Sequence, residues 1–426
     1  MTVTIILALL IVLLITGMPL AFAMGVSTTV YLYLTGIDAG MLAQRMTSSV
    51  DSFLILAIPF FYLAGELMNA CRLTDRIIGM SRALVGHIHG GLAQVNIFAS
   101  MIFSGMSGSA TADTTALGSV LIPAMKKEGY PAPFSAAVTV ASALVGPMIP
   151  PSVALVIYGT LANVSIGRLL VAGIIPGVVI ILSQMIFTYF VARKNNYPRY
   201  ERASLGEIGA SIKEGGPAIL FPVIIVGGIL MGMFSPTEAA AVAVLYGLVL
   251  GLLYRQMNMR RFGKVLVDVG LGSCRIMLII AASAAFSWVM VRENVPQSIG
   301  MGISTISHEP LIVLLIVLAV LVLVGLFMVA SSAEIVLTPI LVPVVMQFGI
   351  DPVHFGVLMV FTLIIGGATP PVGILMFIAQ DIAKISHAQM VRAMIPFYIP
   401  LFAAVLLLAA FPQITLFLPN LIFGGQ

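Results

Sequence analysis

Charge is what this chain is short of: Asp, Glu, Lys and Arg make up 8% of its 426 residues, against 60% hydrophobic. A water-soluble globule carries about a quarter charged residues, so the composition excludes one and leaves a polytopic membrane protein. Cysteine is nearly absent as well. Cys71 and Cys274 stand far apart with no C-x-x-C and no histidine at ligand spacing, which argues against a disulfide framework or a thiolate metal site. There is no G-x-x-x-x-G-K-[ST] stretch to cradle nucleotide phosphates, so no ATP use is expected. A net charge of +4 would point to nucleic acid in a soluble protein; here it is expected to reflect basic loops facing the cytoplasm, with no nucleic-acid partner. The first apolar stretch, Val3 to Leu34, is too long for a signal-peptide core and lacks a basic flank, so it is expected to be retained as a span.

What the chain does have is an internal repeat. A gapless shift of 220 positions lays Gly105 on Gly325, Pro123 on Pro343, Gly146 on Gly366, Pro150-Pro151 on Pro370-Pro371 and Pro176 on Pro396. Glycine and proline set backbone shape, so two backbone constructions are repeated. Paired Gly/Pro-interrupted hydrophobic segments in the two halves of a membrane protein point to a transport site. Apolar runs long enough to cross a bilayer fall at 4–34, 52–70, 132–165, 170–192, 217–234, 236–254, 265–291, 353–383 and 394–420. Two pairs of shorter runs, 91–104 with 112–125 and 311–327 with 334–346, read as re-entrant helical hairpins spanning 91–125 and 311–346.

With a cytoplasmic N-terminus and each hairpin returning to its own side, 17 of the 20 Lys and Arg fall inside; Arg45, Arg168 and Arg292 fall outside. The hairpins then open to opposite sides, and the repeat is inverted. The fold class expected is an all-α polytopic membrane protein, an inverted-repeat transporter with two re-entrant hairpins and two broken helices. Its divisions are 1–50 (first span and outer loop, a scaffold), 51–192 (first repeat), 193–264 (cytoplasmic linker and connecting spans) and 265–426 (second repeat). The C-terminus is expected to be periplasmic.

The tip Ser107-Gly108-Ser109-Ala110-Thr111 can neither stay helical easily nor face lipid, because unpaired backbone groups in hydrocarbon cost several kcal/mol each. Gly146-Pro147 and Pro150-Pro151 break the next span, leaving carbonyls at one half-helix end and free N–H groups at the next. Carbonyl ends suit sodium and N–H ends suit a carboxylate, so two cation sites are expected, one per repeat. No Arg or Lys lies in 103–118, 142–156, 323–338 or 362–376, which leaves an anionic substrate to bound cations, hydroxyls and helix N-termini. Asp113 and Glu334, just past the tips, are the carboxylates expected to be buried; a functional role and pairing with a helix N-terminus both account for them. Glu66 and Asp381 are expected to make structural pairs, and Glu238 to serve the start of the helix at Pro236.

Gly105-Met106-Ser107-Gly108 also fits the G-x-S-G pattern of rhomboid-like intramembrane serine proteases, with Ser107 as nucleophile. That alternative needs a histidine on a neighbouring helix, and His87, His89, His308, His354 and His387 all fall in loops or near span ends.

The segments LAIPFFYLAGELMNA (56–70), FSGMSGSATADTTALGSVLIPAMKKEGYP (103–131), GPMIPPS (146–152), FSPTEA (234–239) and TPPVG (369–373) resemble the large membrane (M) subunit of TRAP, tripartite ATP-independent periplasmic, transporters. The resemblance implies a sodium-coupled, elevator-type importer of an organic acid such as sialic acid or a C4-dicarboxylate, in the bacterial inner membrane. It implies two partners: a small membrane subunit of about four spans, as a separate chain, and a periplasmic substrate-binding protein. By position it puts one sodium site at Ser104, Gly105, Ser107, Gly146 and Pro150, and another at Gly325, Met328, Gly366 and Thr369. Substrate would lie near Ser107, Ser109, Thr111 and Ser152. Many relatives are acidic where this chain has Val329; Ser331, Ser332 or Glu334 are the residues that can substitute.

Overall fold

The computed structural model describes residues 2–71, 73–371 and 373–424, helical throughout, with no strand among them. Arg72, counted above among the inside charges, and Val372 of the TPPVG segment lie outside the described residues. Seven described helices are long and apolar enough to cross a membrane, and a bent pair makes an eighth.

Two hairpins and two broken helices form the centre. The first hairpin has arms Gly91–Ser107 and Ala110–Lys127, the second Pro310–Gly325 and Ala330–Gln347. After the first come Ala132–Ala143, a single turn at Gly146–Met148, and Val153–Ala162, bent by 42° at the break. After the second come Pro352–Gly367 and Ile374–Ala383. Helix starts at Ala110 and Ala330, and again at Ala132 and Pro352, keep the repeat's spacing, and Pro150-Pro151 and Pro370-Pro371 are both cis. Three of the four arms run longer than the apolar runs that announced them: Ala110–Lys127 has 18 residues, about 27 Å, while Pro310–Gly325 has 16. Length alone therefore does not make them re-entrant; that both tips line one cavity does.

The inversion is visible in what each base touches. At the base of the first hairpin, Lys126 Nζ donates to Ala383 O at 2.9 Å, so the second broken helix ends there. At the base of the second, Tyr158 Oη donates to Pro352 O at 2.7 Å, so the first broken helix ends there instead. Arg45 and Arg292 both lie over the Trp288 ring, at 5.5 and 5.3 Å, and Arg168 Nη2 donates to Asn420 Oδ1 at 2.8 Å, all toward the second hairpin's base. Arg82 lies over Tyr200, whose hydroxyl bonds Glu128 beside the first hairpin's base.

Polar residues fasten the first hairpin to its broken helix through the apolar core. Asn96 Nδ2 donates to Thr139 Oγ1 at 2.7 Å and Ser100 Oγ to Ser142 Oγ at 2.9 Å, all four buried. Such interhelical bonds contribute about 0.6 kcal/mol each in a bilayer; their larger effect is to fix rotation and height, since a slip by one residue would strand four polar groups in hydrocarbon.

Several expected runs are divided differently. The run 4–34 is two packed helices, Thr2–Ile15 and Leu20–Thr35, because Gly17 takes φ +86° and Pro19 follows. A cytoplasmic N-terminus, which rested on a single crossing there, loses that basis; the charge count does not change, since no Lys or Arg precedes Arg45. The run 394–420 is likewise two helices, His387–Ala410 and Pro412–Phe423, with a proline opening the second. Conversely, the amphipathic linker segment is no separate element: Leu205–Leu230 is one helix of 26 residues running into the span, started by a Ser204–Glu207 capping box. The expected role of Glu238 holds, as the second half of a capping box with Ser235. Asp381 pairs with Lys384 at 3.0 Å, but Glu66 has no ion-pair partner among the described residues.

Candidate functional site

The first tip is built by conformation before chemistry. Gly108 takes φ +57°, ending Gly91–Ser107, and Ser109 is extended and caps the next helix by accepting from Ala112 N at 3.4 Å. A side chain at Gly108 would place its Cβ 2.6 Å from Pro151 O, and one at Gly146 would sit 3.2 Å from Ala110 N and 3.3 Å from Asp113 Oδ2. The tip and the break of the following helix are therefore in backbone contact, which only glycine permits.

Behind that contact lies Asp113, fully buried. Ser104 Oγ stands 2.8 Å from its Oδ2 and Ser107 Oγ 2.5 Å from its Oδ1. Both carboxylate oxygens thus accept hydroxyls from the opposite arm, and the group sits in the first turn of its helix, where the N-terminal dipole favours it. Ser104, Gly105, Ser107, Gly146 and Pro150, expected as one set, do come together: a Cβ at Gly105 would be 3.6 Å from Pro150 O.

The second tip differs: residues 326–329 join Gly325 to Ala330 with no positive φ among them, and Phe327 and Val329 stand where the first tip has Ser107 and Ser109. Val329 occupies the N-cap of Ala330–Gln347 and offers no side-chain oxygen. Gly325 and Gly366 pack backbone on backbone: a Cβ on Gly325 would stand 2.9 Å from Gly366 Cα, and one on Gly366 2.8 Å from Gly325 Cα and from Val322 O. Thr369 Oγ1 donates to Ile365 O at 2.7 Å, one turn back in its own helix. Glu334 is buried, and its Oε1 has no hydrogen-bond partner.

Between the tips lies a cavity of about 350 Å³, lined by Ser107, Ser109 and Thr111 on one side and Met328, Val329 and Ser331 on the other. Glu334 also lines it, and among the described residues no Arg, Lys or His does. Ser109 Oγ and Thr111 Oγ1 are 2.9 Å apart at its polar end. Two expected substrate residues are placed elsewhere. Ser152 is fully buried outside the lining, its Oγ donating to Pro147 O at 2.5 Å and accepting from Leu155 N at 3.1 Å, so it caps Val153–Ala162. Ser332, beside Ser331 in sequence, is not in the lining either, since adjacent helical residues point about 100° apart.

Sequence reasoning missed Tyr62, which lines the cavity from Ala57–Ala70. Its ring lies where a Cβ at Gly272 would be 2.2 Å away, a long-range contact with no local sequence signal. The protease alternative finds no support in this geometry: the partner of Ser107 is a carboxylate, and no histidine lines the cavity.

Residues 7–414 match the family model described as the tripartite ATP-independent periplasmic transporter, DctM component. The sialic acid TRAP transporter large permease protein SiaM of Vibrio cholerae is 42% identical over 97% of this chain and 98% of its own length. The C4-dicarboxylate TRAP transporter large permease protein DctM of Rhodobacter capsulatus is 34% identical over 99% and 100%. Among solved structures, the YdaH transporter of Alcanivorax borkumensis superposes with a TM-score of 0.66, covering 87% of each chain at 14% identity, a likeness of fold.

Proposed function

The chain belongs to the tripartite ATP-independent periplasmic transporter family as a DctM component, and from that premise we propose that it carries an organic acid across the inner membrane in symport with sodium. The observation that carries this reading is the cavity between the two tips. It presents hydroxyls and a helix N-terminus at one end, lies between two Gly/Pro breaks, and has no basic side chain among the described residues. A carboxylate placed there meets Ser107, Ser109 and the N–H groups that open Ala110–Lys127, with bound cations supplying the positive charge a simple anion pore would take from Arg or Lys.

Sodium takes oxygen donors, and oxygen is what each set offers. In the first these are the Ser104 and Ser107 hydroxyls and the carbonyls about Gly146 and Pro150; in the second, backbone carbonyls about Gly325, Met328 and Gly366 with the Thr369 hydroxyl. Relatives named as sialic acid, C4-dicarboxylate and 2,3-diketo-L-gulonate permeases support an organic acid as cargo. The reading includes a small membrane subunit and a periplasmic binding protein as partners. It places the first hairpin's base in the cytoplasm and the C-terminus in the periplasm, and moves both hairpins together as an elevator against a scaffold that includes Leu20–Thr35. That helix sits in a second, separate apolar core with Phe286 and Met290.

The test is uptake into liposomes holding this chain and its small subunit, with the cognate binding protein outside. Uptake of the binding protein's ligand is expected with an inward sodium gradient and none with choline in its place. Sodium-independent uptake by this chain alone would sink the reading.

A further inference from the structure

The two buried carboxyls behind the tips are not equivalent. Under the repeat, Asp113 falls on Ala333 and Glu334 on Thr114, so the acid of the second copy is displaced by one residue. One residue on a helix is a rotation of about 100°. Asp113 accordingly points at its own hairpin, where Ser104 and Ser107 occupy both oxygens, while Glu334 lines the cavity. Glu334 is 2% exposed and its Oε1 has no hydrogen-bond partner among the described residues. Nearby hydroxyls are spoken for: Thr338 donates to Glu334 O at 2.7 Å, and Tyr158 Oη to Pro352 O at 2.7 Å. A buried acceptor left unpaired costs the full desolvation of that group, and the residue that carries this one lines the cavity.

The surroundings fix what can satisfy it. Ile157, Val360, Leu363 and Ile364 line the cavity with it, and none carries a side-chain oxygen to complete a metal shell. Among the described residues no Arg, Lys or His lines the cavity to pair with Glu334 or with a second anionic group. At the other end Ser107, Ser109 and Thr111 form the polar wall.

We propose that Glu334 is a specificity-determining residue: its side-chain carboxyl accepts a hydrogen bond from the end of the substrate opposite the substrate's own carboxylate. The cavity then takes monocarboxylates that carry a hydroxyl, amide or amino group away from the carboxylate. It rejects dicarboxylates, whose second anionic end would face Glu334 with no cation between them. This rests on the organic-acid reading above and divides the substrate classes within it.

The test uses three six-carbon probes that differ only in chemistry: D-gluconate, hexanoate and adipate. Thermal unfolding of the full-length protein, purified in sodium with its small subunit where one co-purifies, is followed as each probe is titrated. Gluconate is expected to stabilise at a concentration at least about tenfold below hexanoate or adipate, as a site built to receive a hydrogen bond discriminates against ligands that lack it. Glu334→Gln is expected to admit adipate while keeping gluconate, and Glu334→Leu to lose the preference of gluconate over hexanoate. Adipate binding the unmodified protein as well as gluconate overturns the proposal and leaves the organic-acid reading standing; so does an unchanged adipate-to-gluconate ratio in Glu334→Gln. Stabilisation by none of the three counts against both. The unmodified protein decides the main point even if a variant does not fold.

Discussion

Ser107 Oγ stands 2.5 Å from Asp113 Oδ1, across the turn at which the first hairpin reverses. The bond joins the end of one arm to the start of the next, so the serine's position depends on the carboxylate. Asp113→Ala removes the carboxylate acceptor from both Ser104 and Ser107, while Ser104 keeps Ser100 O at 2.5 Å. The expected outcome is a loss of roughly 2–3 kcal/mol in stability, two hydrogen bonds to a charged group less what the serines recover. Uptake is expected to fall with it, while Asp113→Asn, which keeps the shape, falls less. Thermal unfolding and liposome uptake on the same preparations check both.

Neighbouring glycines in the second break give a sharper contrast. A methyl at Gly366 meets Gly325 Cα and Val322 O at 2.8 Å, backbone atoms that cannot swing aside; one at Gly367 meets nothing within 4 Å among the described residues. Gly366→Ala is therefore expected to push the second hairpin off its broken helix and abolish uptake. Gly367→Ala is expected to transport normally. Equal uptake by the two would refute the close approach.

Gly272 and Tyr62 couple the long helix Met259–Arg292 to the cavity wall. Gly272→Ala puts a methyl 2.2 Å from the ring, which can swing away only as a whole. The expected result is a ring displaced toward the substrate space and uptake reduced several-fold, on the scale of a misplaced binding group. Adding Tyr62→Ala is expected to recover part of the loss, an interaction that a double-mutant cycle measures.

At the opposite base, Arg168 donates to Asn420 Oδ1 at 2.8 Å and to Gly424 O at 3.3 Å. Arg168→Ala is expected to free the C-terminal helix Pro412–Phe423. Faster amide exchange over 412–423 than elsewhere in the protein would check it, with uptake little changed.

The sequence announced the hairpins, the breaks and their pairing because glycine, proline and serine act on the backbone where they stand. Gly108, Pro150 and Ser109 could be read that way, and their contacts follow. What stayed hidden depends on which way a side chain points after the chain has reversed. Ser104, Ser107 and Asp113 were each singled out, yet that they bond one another follows only from closing the hairpin. Ser152 read as a ligand-binding hydroxyl and is spent on a cap, since local backbone donors compete for every serine at a break. Gly17 and Pro19 lay in plain view inside an apolar run, but hydropathy averages over them.

Each broken helix ends against the opposite repeat, Ala383 on Lys126 of the first hairpin and Tyr158 on Pro352, which follows the second hairpin and opens the second broken helix. Neither half is a closed unit by itself. A chain cut within 195–204, the stretch between two helices, would stay assembled through these exchanged ends. A single half would leave the tip of its hairpin facing lipid with no counterpart to cover it. The duplication therefore survives as interdependence rather than as two spare copies, and transport belongs to the seam between them.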